Sequence, residues 1–391
     1  MIKKLSFIVF ITSLFFGFSQ NVKLSNFSQI SIITSGPGDN LYEKFGHTAI
    51  RIKDPVLNLD LLYNYGIFDF NDPNFYVNFV KGFMKYKLAR YPFHYSLKSA
   101  NQDERWVKEQ VLNLTVDERN AFFMFLEINA QPKNASYFYD PFFDNCATRP
   151  KDIIKKEVLK NKIIFNDSIL KTPKSLRTLM NEKIHPNTWG SFGINLALGS
   201  RLDKISSIEE YMYLPEYLYT IFSSSKINKE GKELPLISKT NELLKFEPKL
   251  PKSDVLSPFL IFSLLLVLTC LITFFDIKRN KRTKALDFSI FFISGLLGVL
   301  IVFLWFFTNH STAPNNFNFL WALAPNLVIA FVMLKSSFNN WVKYYLIVLL
   351  LFLIVIPVIS LIGIQKFTYP FYPILLLISI RYLYLIKWYI K

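Results

Sequence analysis

The chain is poor in the residues from which most metal, nucleotide and disulfide sites are built. It has two cysteines, four histidines and 13 glycines in 391 residues. Cys146 stands in a polar turn and Cys270 in a long apolar stretch. Two cysteines in such different settings exclude a disulfide framework, because they would have to pair across a water–membrane boundary. Cys270 reads as a small filler of a membrane helix. No zinc-ligand spacing, Walker-type phosphate loop, dinucleotide fingerprint or Gly-x-Ser-x-Gly elbow is present. No cofactor or metal is therefore expected. Acidic residues are also short: Asp and Glu number 29 against 45 Lys and Arg, a net charge of +16. Such an excess serves nucleic acid, an anionic membrane surface or the cytoplasmic loops of a membrane protein. The basic residues are spread through the front half and gather at the ends of apolar runs, with no compact nucleic-acid module. Membrane orientation and phospholipid headgroups are favoured, and no nucleic-acid partner is expected.

Apolar residues make up 51% of the chain, 40 of the residues are Phe, and the mean hydropathy is +0.25. These values imply an embedded part. The N-terminus has the pattern of a signal peptide over residues 1–19. Lys3 and Lys4 precede the apolar core Leu5 to Phe18, and Gly17 and Ser19 give a small-x-small cleavage site. An uncleaved anchor is the alternative, and in both cases the front domain is exported. Residues 20–250 read as a water-soluble α+β domain. Strands are expected within Asn21 to Ile33, over Thr48 to Ile52 and over Leu61 to Phe68. Helices are expected over Ala100 to Asn113, from the capping box Thr115-Val116-Asp117-Glu118 onward, over Arg149 to Val158 and over Leu176 to Ile184. Trp189 to Leu202 and Ile208 to Phe222 close the domain.

Residues 251–391 read as a membrane domain of five spans, near 258–275, 288–307, 319–334, 344–362 and 371–389. The link after the first span is densely basic, and those after the third and fifth carry lysines. The link 308–318 has no Lys or Arg. The positive-inside rule puts the basic links in the cytoplasm and the front domain outside, in agreement with the signal peptide. The expected location is the inner membrane, with that domain in the periplasm.

Two segments carry the candidate chemistry. Gly46-His47-Thr48-Ala49-Ile50-Arg51 puts a histidine at the mouth of a strand. Asp144-Asn145-Cys146-Ala147-Thr148-Arg149 puts a cysteine at a helix start, where the helix dipole favours a thiolate. An imidazole in reach would take the thiol proton. Asn64, on the adjacent strand, is the candidate to fix the imidazole tautomer. Arg51 and Arg149 suit a phosphate or carboxylate; a surface charge or an internal ion pair is the other reading of each. His310 sits in a polar, Asn-rich stretch on the exported side that faces the front domain or the lipid headgroups, with an ordinary interhelical loop as the other reading. His94 and His185 are given no role.

These segments, with Tyr63-Asn64-Tyr65-Gly66-Ile67-Phe68-Asp69-Phe70, Met212 to Leu218 and His310 to Trp321, resemble the Lnb family of lipoprotein N-acyltransferases. The resemblance extends over most of the mature chain. It implies an exported domain with a permuted papain-like fold, similar to that of lecithin:retinol acyltransferase, followed by membrane helices. It implies His47 as base and Cys146 as acyl-accepting nucleophile, with Asn64 as orienting group; Arg51, Arg149 and His310 are the candidate substrate contacts. The implied partners are a phospholipid acyl donor and a diacylated lipoprotein acceptor. Relatives often carry Thr where this chain has Ala147, a departure that leaves the chemistry intact. From the residues alone, an envelope Cys–His hydrolase and a non-catalytic lipid-binding protein stay open.

Overall fold

The computed structural model describes residues 22–390 apart from Phe70 and Phe338. The expected signal peptide lies outside the described residues.

The front domain is built on an antiparallel sheet of seven strands in the order β10-β5-β1-β2-β3-β4-β6. The strands are β1 Gln29–Ser35, β2 His47–Asp54, β3 Leu59–Ile67, β4 Lys85–Pro92, β5 Val107–Leu112, β6 Ser136–Phe138 and β10 Ile237–Leu244. Strands β7 Ile163–Ile164, β8 Lys226–Lys229 and β9 Lys232–Pro235 form a small second sheet. The helices of this domain are α1 Phe75–Lys81, α2 Phe93–Gln102, α3 Val116–Asn129, α4 Thr148–Asp152, α5 Leu176–Lys183, α6 Trp189–Ala197, α7 Ile208–Tyr211 and α8 Pro215–Ser224. A π-helical turn, Ile153–Val158, continues α4.

Strand alternation divides the core between two faces. Ile30, Ile32, Ile50, Ile52, Leu61 and Tyr63 point to the large core shared with Phe122, Leu126, Ile154 and Leu218. Ile33, Ala49 and Leu62 point to a smaller core under Phe93 and Ala100 of α2. The capping box at Thr115 and Glu118 forms as expected.

Two expectations fail here. The span Ala100 to Asn113, expected to be helical, is the end of α2, a turn and strand β5. Sheet pairing decides this, because β5 is bonded on both edges, to β1 and to β10. Nor does the domain close at Phe222: β8, β9 and β10 come after it, and β10 extends the main sheet.

Helices α9 Pro258–Arg279, α10 Lys284–Phe306, α12 Asn340–Leu361 and α13 Phe371–Ile390 form the back domain. Among the described residues, these four helices are long and apolar enough to cross a membrane. The expected span near 319–334 is not a fifth such helix. It is a 3-10 turn, Phe317–Leu320, followed by the seven-residue helix α11, Asn326–Val332. Pro325 stands before α11, and the segment lies backbone-to-backbone on α10. A Cβ on Gly295 would come within 2.1 Å of the Leu327 nitrogen, and one on Gly298 within 2.3 Å of the Ala322 oxygen. Irregular backbone survives at membrane depth only where protein covers it, and the two glycines provide that cover. The segment still runs the length of α10. Its far end is held where Arg282 donates to the Lys335 carbonyl at 2.6 Å.

The loop 308–318 ties the two domains together. Gly199 N donates to Thr312 O at 2.8 Å, Ser200 N to Asn315 O at 3.0 Å, and Asn316 Nδ2 to Leu196 O at 2.7 Å.

Candidate active site

The strand carrying His47 begins at a forced turn. Gly46 has φ +76°, and a Cβ there would lie 2.8 Å from the Ser35 carbonyl, so the turn admits little but glycine. His47 is the first residue of β2. Continuing the register in which Ile50 faces Tyr63 puts Asn64 diagonal to His47 on the same face. His47 Nε2 meets Asn64 Oδ1 at 2.7 Å. Asn64 Nδ2 donates to the Tyr91 hydroxyl at 2.8 Å, and its oxygen faces the imidazole. With Asn64 Oδ1 as the acceptor, the matching tautomer carries its proton on Nε2 and leaves Nδ1 for the thiol.

Cys146 arrives from the other side on a tightly tied loop. Asp140 and Asp144 exchange backbone hydrogen bonds at 3.1 Å, and Asp140 Oδ1 accepts from the Phe142 and Phe143 amides. Asn145, buried, accepts with Oδ1 from the amides of Ala147 and Thr148 at 2.8 and 2.9 Å. Its Nδ2 donates to the carbonyls of Pro141 and Tyr213. Asn145 thus caps the helix and anchors the loop at once. Two amides of the helix start are consumed in this cap. The amides of Thr48 and of Cys146 itself are the ones that reach the sulfur.

Opposite Cys146, β3 is bulged between Asn64 and Ile67. Gly66 in that bulge has φ +97°, and a Cβ on it would lie 3.7 Å from Cys146 Cβ and 3.5 Å from the Tyr139 ring. The missing side chain leaves room at the thiol.

Cys146 and His47 are hydrogen-bonded to each other. Burial works against a thiolate. The His47 charge, that hydrogen bond and the two amides outweigh burial, and the Cys146 pKa is lowered. Burial likewise works against an imidazolium. The Cys146 charge and the hydrogen bonds to Cys146 and Asn64 prevail over it and over the opposing Arg105, and the His47 pKa is raised. The two shifts describe one event, transfer of the thiol proton to the imidazole.

The arginines are committed elsewhere. Arg51 lies four residues from His47 along β2, roughly 13 Å at strand rise. It donates to Asp60 at 2.7 Å and Glu109 at 3.0 Å and stacks on Phe93. Of the two readings, the internal ion pair describes it. Arg149 is nearer the thiol, but it pairs with Asp144 at 2.7 Å and stacks on Tyr137 at 3.5 Å. His310 is not brought to the pair: its ring faces Phe79 of α1, with centroids 6.4 Å apart. The neighbouring Ser311 hydroxyl donates to Asp140, at the base of the cysteine loop.

Sequence reasoning missed Tyr91, Gly66, Asn145 and Tyr139. Asn145 and Gly66 stand inside the two motifs it used, as an Asx residue ahead of a helix and a glycine interrupting a strand. Tyr91 comes from a distant segment and leaves no local signal; Tyr139 opens the segment that leads into Cys146, but only the fold brings its ring to Gly66.

Two family models match the chain. The one described as Lnb N-terminal periplasmic domain covers residues 18–182, and the one described as Lnb transmembrane domain covers residues 251–391. No curated protein and no solved structure matches it.

Proposed function

Because the chain belongs to the Lnb family, as a multi-pass membrane protein with a periplasmic N-terminal domain, we propose that Cys146 and His47 transfer an acyl chain from a membrane phospholipid to a lipoprotein amine. The observation that carries this reading is the hydrogen-bonded thiol–imidazole pair, with Asn64 fixing the imidazole, in a domain docked on membrane-spanning helices. The order of a strand histidine before a helix-start cysteine fits the permuted papain-like arrangement.

The Cys146 thiolate attacks an ester carbonyl of the phospholipid. The ester C–O bond breaks, the imidazolium of His47 gives its proton to the departing lysophospholipid oxygen, and a thioester forms on Cys146. The α-amine of a diacylglyceryl-cysteine then attacks the thioester, and His47 takes the amine proton. The C–S bond breaks, and an N-acylated lipoprotein leaves with the thiolate restored. The Cys146 amide is the helix-start donor available to the oxyanion, since Asn145 occupies the next two. Held in the bilayer, the domain meets both lipid substrates at high effective concentration.

The test is the intact mass of a model lipoprotein N-terminus from cells that lack other N-acyltransferases, supplied with wild type or Cys146→Ala. One added acyl mass with wild type and none with Cys146→Ala is the expected result. A free amine with wild type sinks the transferase reading for that acceptor.

A further inference from the structure

Helix α1 has no buried residue. Tyr76 is 68% exposed, and Val77, Phe79 and Val80 are about half exposed, as is Phe83 just beyond. So short a helix, apolar and largely uncovered, gains little from standing in water. It is nevertheless held in place. Asn309 N donates to the Lys81 carbonyl at 2.9 Å, and a Cβ on Gly82 would lie 2.7 Å from the His310 nitrogen. Asn309 stands three residues beyond the end of α10, next to the exposed rings of Phe306 and Phe307. Helix α1 is thus fixed at the level where a spanning helix leaves the hydrocarbon.

Behind α1 lies a groove of about 470 Å³, its apolar wall formed by Ile67, Phe68, Phe75, Phe79, Phe83 and Tyr86. Its polar lining is Asp69, Asn71, Asp72, Asn78, Lys85 and Lys87, with Ser136. Aromatic rings continue from the groove inward. Phe79 meets Phe75 at 6.3 Å, Phe75 meets Phe68 at 5.8 Å, Phe68 meets Tyr86 at 5.0 Å, and Tyr86 stacks on Tyr139 at 4.4 Å. Tyr139 borders Gly66, and Gly66 borders Cys146.

We infer that α1 inserts into the outer leaflet and that the groove behind it conducts one acyl chain of a membrane phospholipid to Cys146. The conduction rests on the acyl-donor reading above; the insertion does not. The occupant is a hydrocarbon chain because one row of rings, Phe79, Phe75, Phe68, Tyr86 and Tyr139, runs from exposed α1 to the gap that Gly66 leaves beside Cys146. His310, facing Phe79, then stands at headgroup level rather than at the chemistry.

The test uses the full chain in vesicles of phosphatidylethanolamine and phosphatidylglycerol, with a trace of phosphatidylethanolamine carrying a photoreactive group within one acyl chain. Crosslinks mapped by mass spectrometry should fall within residues 68–86, in wild type and in Cys146→Ala. Joint substitution Val77→Asp and Val80→Asp should lower both these crosslinks and thioester formation on Cys146 about tenfold, the scale of placing charge on a lipid-facing surface. Alkylation of Cys146 by a water-soluble reagent should be unchanged in that variant, which separates loss of lipid access from misfolding. Tyr76→Trp, a conservative change, gives an independent check. Its added emission should be quenched by phospholipids brominated along the chain; quenching by aqueous iodide instead overturns the insertion. Crosslinks confined to the spanning helices, or wild-type acylation rates in the aspartate variant, overturn the conduction. Crosslinks at 68–86 with no acyl group ever found on Cys146 overturn the donor reading and the conduction with it, and leave α1 as an inserted helix only.

Discussion

In the middle of β2, Arg51 gives its guanidinium to Asp60 and Glu109; at its start, His47 shares a proton with Cys146. Ala49 and both residues lie on one face of the same strand. Arg51 is permanently charged and permanently answered: Glu109, itself buried, also accepts from Ser31 at 2.7 Å and Asn241 at 2.8 Å. The His47 cluster gains its charges only when the thiol proton moves, and it opens onto a bulge without a side chain. A residue type suited to chemistry becomes structural when its partners saturate it, and remains reactive when one valence is left for the substrate.

The largest way to break this comparison is Cys146→Ala, which should abolish acyl transfer, a loss of about 10³-fold or more, with the melting temperature little changed. Lost folding together with lost activity would make Cys146 a core residue instead. Next, His47→Gln should cost about 10²–10⁴-fold in acylation rate. It should also move the pH at which iodoacetamide alkylates Cys146. In wild type the imidazolium holds the thiolate below the usual thiol range; without it burial dominates, so the alkylation midpoint must rise. An unmoved midpoint means the pair is not coupled. Arg51→Ala should do the reverse of Cys146→Ala. It strands the buried Glu109 and should cost about 3–5 kcal/mol of stability in chemical denaturation, while the folded fraction keeps its rate per molecule. Asn64→Ala should lower the rate about 10–100-fold through a misoriented imidazole, with Asn64→Asp recovering part of it. Last, Ser311→Ala removes one hydrogen bond between the membrane domain and the cysteine loop. Its effect on stability should be about 1 kcal/mol, and a far larger effect on rate alone would show that the membrane domain sets the loop's position.

Much of the site was legible because its determinants are local. A lone cysteine after Asp144-Asn145 and a histidine after Gly46 announce themselves by residue type and by the turn each stands on, and Asn64 emerges from strand pairing one hairpin away. The capping box at Thr115 is likewise a matter of four consecutive residues. What was misread depends on partners far along the chain. Val107 to Leu112 has apolar spacing that suits a helix, and only β1 and β10 on its two edges make it a strand. Arg51 and Arg149 were legible as cations with an internal ion pair as one reading, but their partners were not, because Glu109, Asp60 and Tyr137 reach them through the fold. Length and hydropathy marked 319–334 as a span but not its form, because they do not register that Gly295 and Gly298 let a 3-10 turn and a short helix lie against α10.

By itself, the sequence determined the division into an exported α+β part and an apolar helical part, the topology written in its lysines, and the identity of the candidate nucleophile and base. Those come from transfer free energies, charge and local backbone geometry, which act residue by residue. The tertiary structure alone decided which cations are spent, where β10 closes the sheet, how Ser311 meets the cysteine loop, and that a row of rings joins α1 to Cys146. Those are pairings between residues up to 171 positions apart, and no short-range term in the sequence encodes which of them the fold completes.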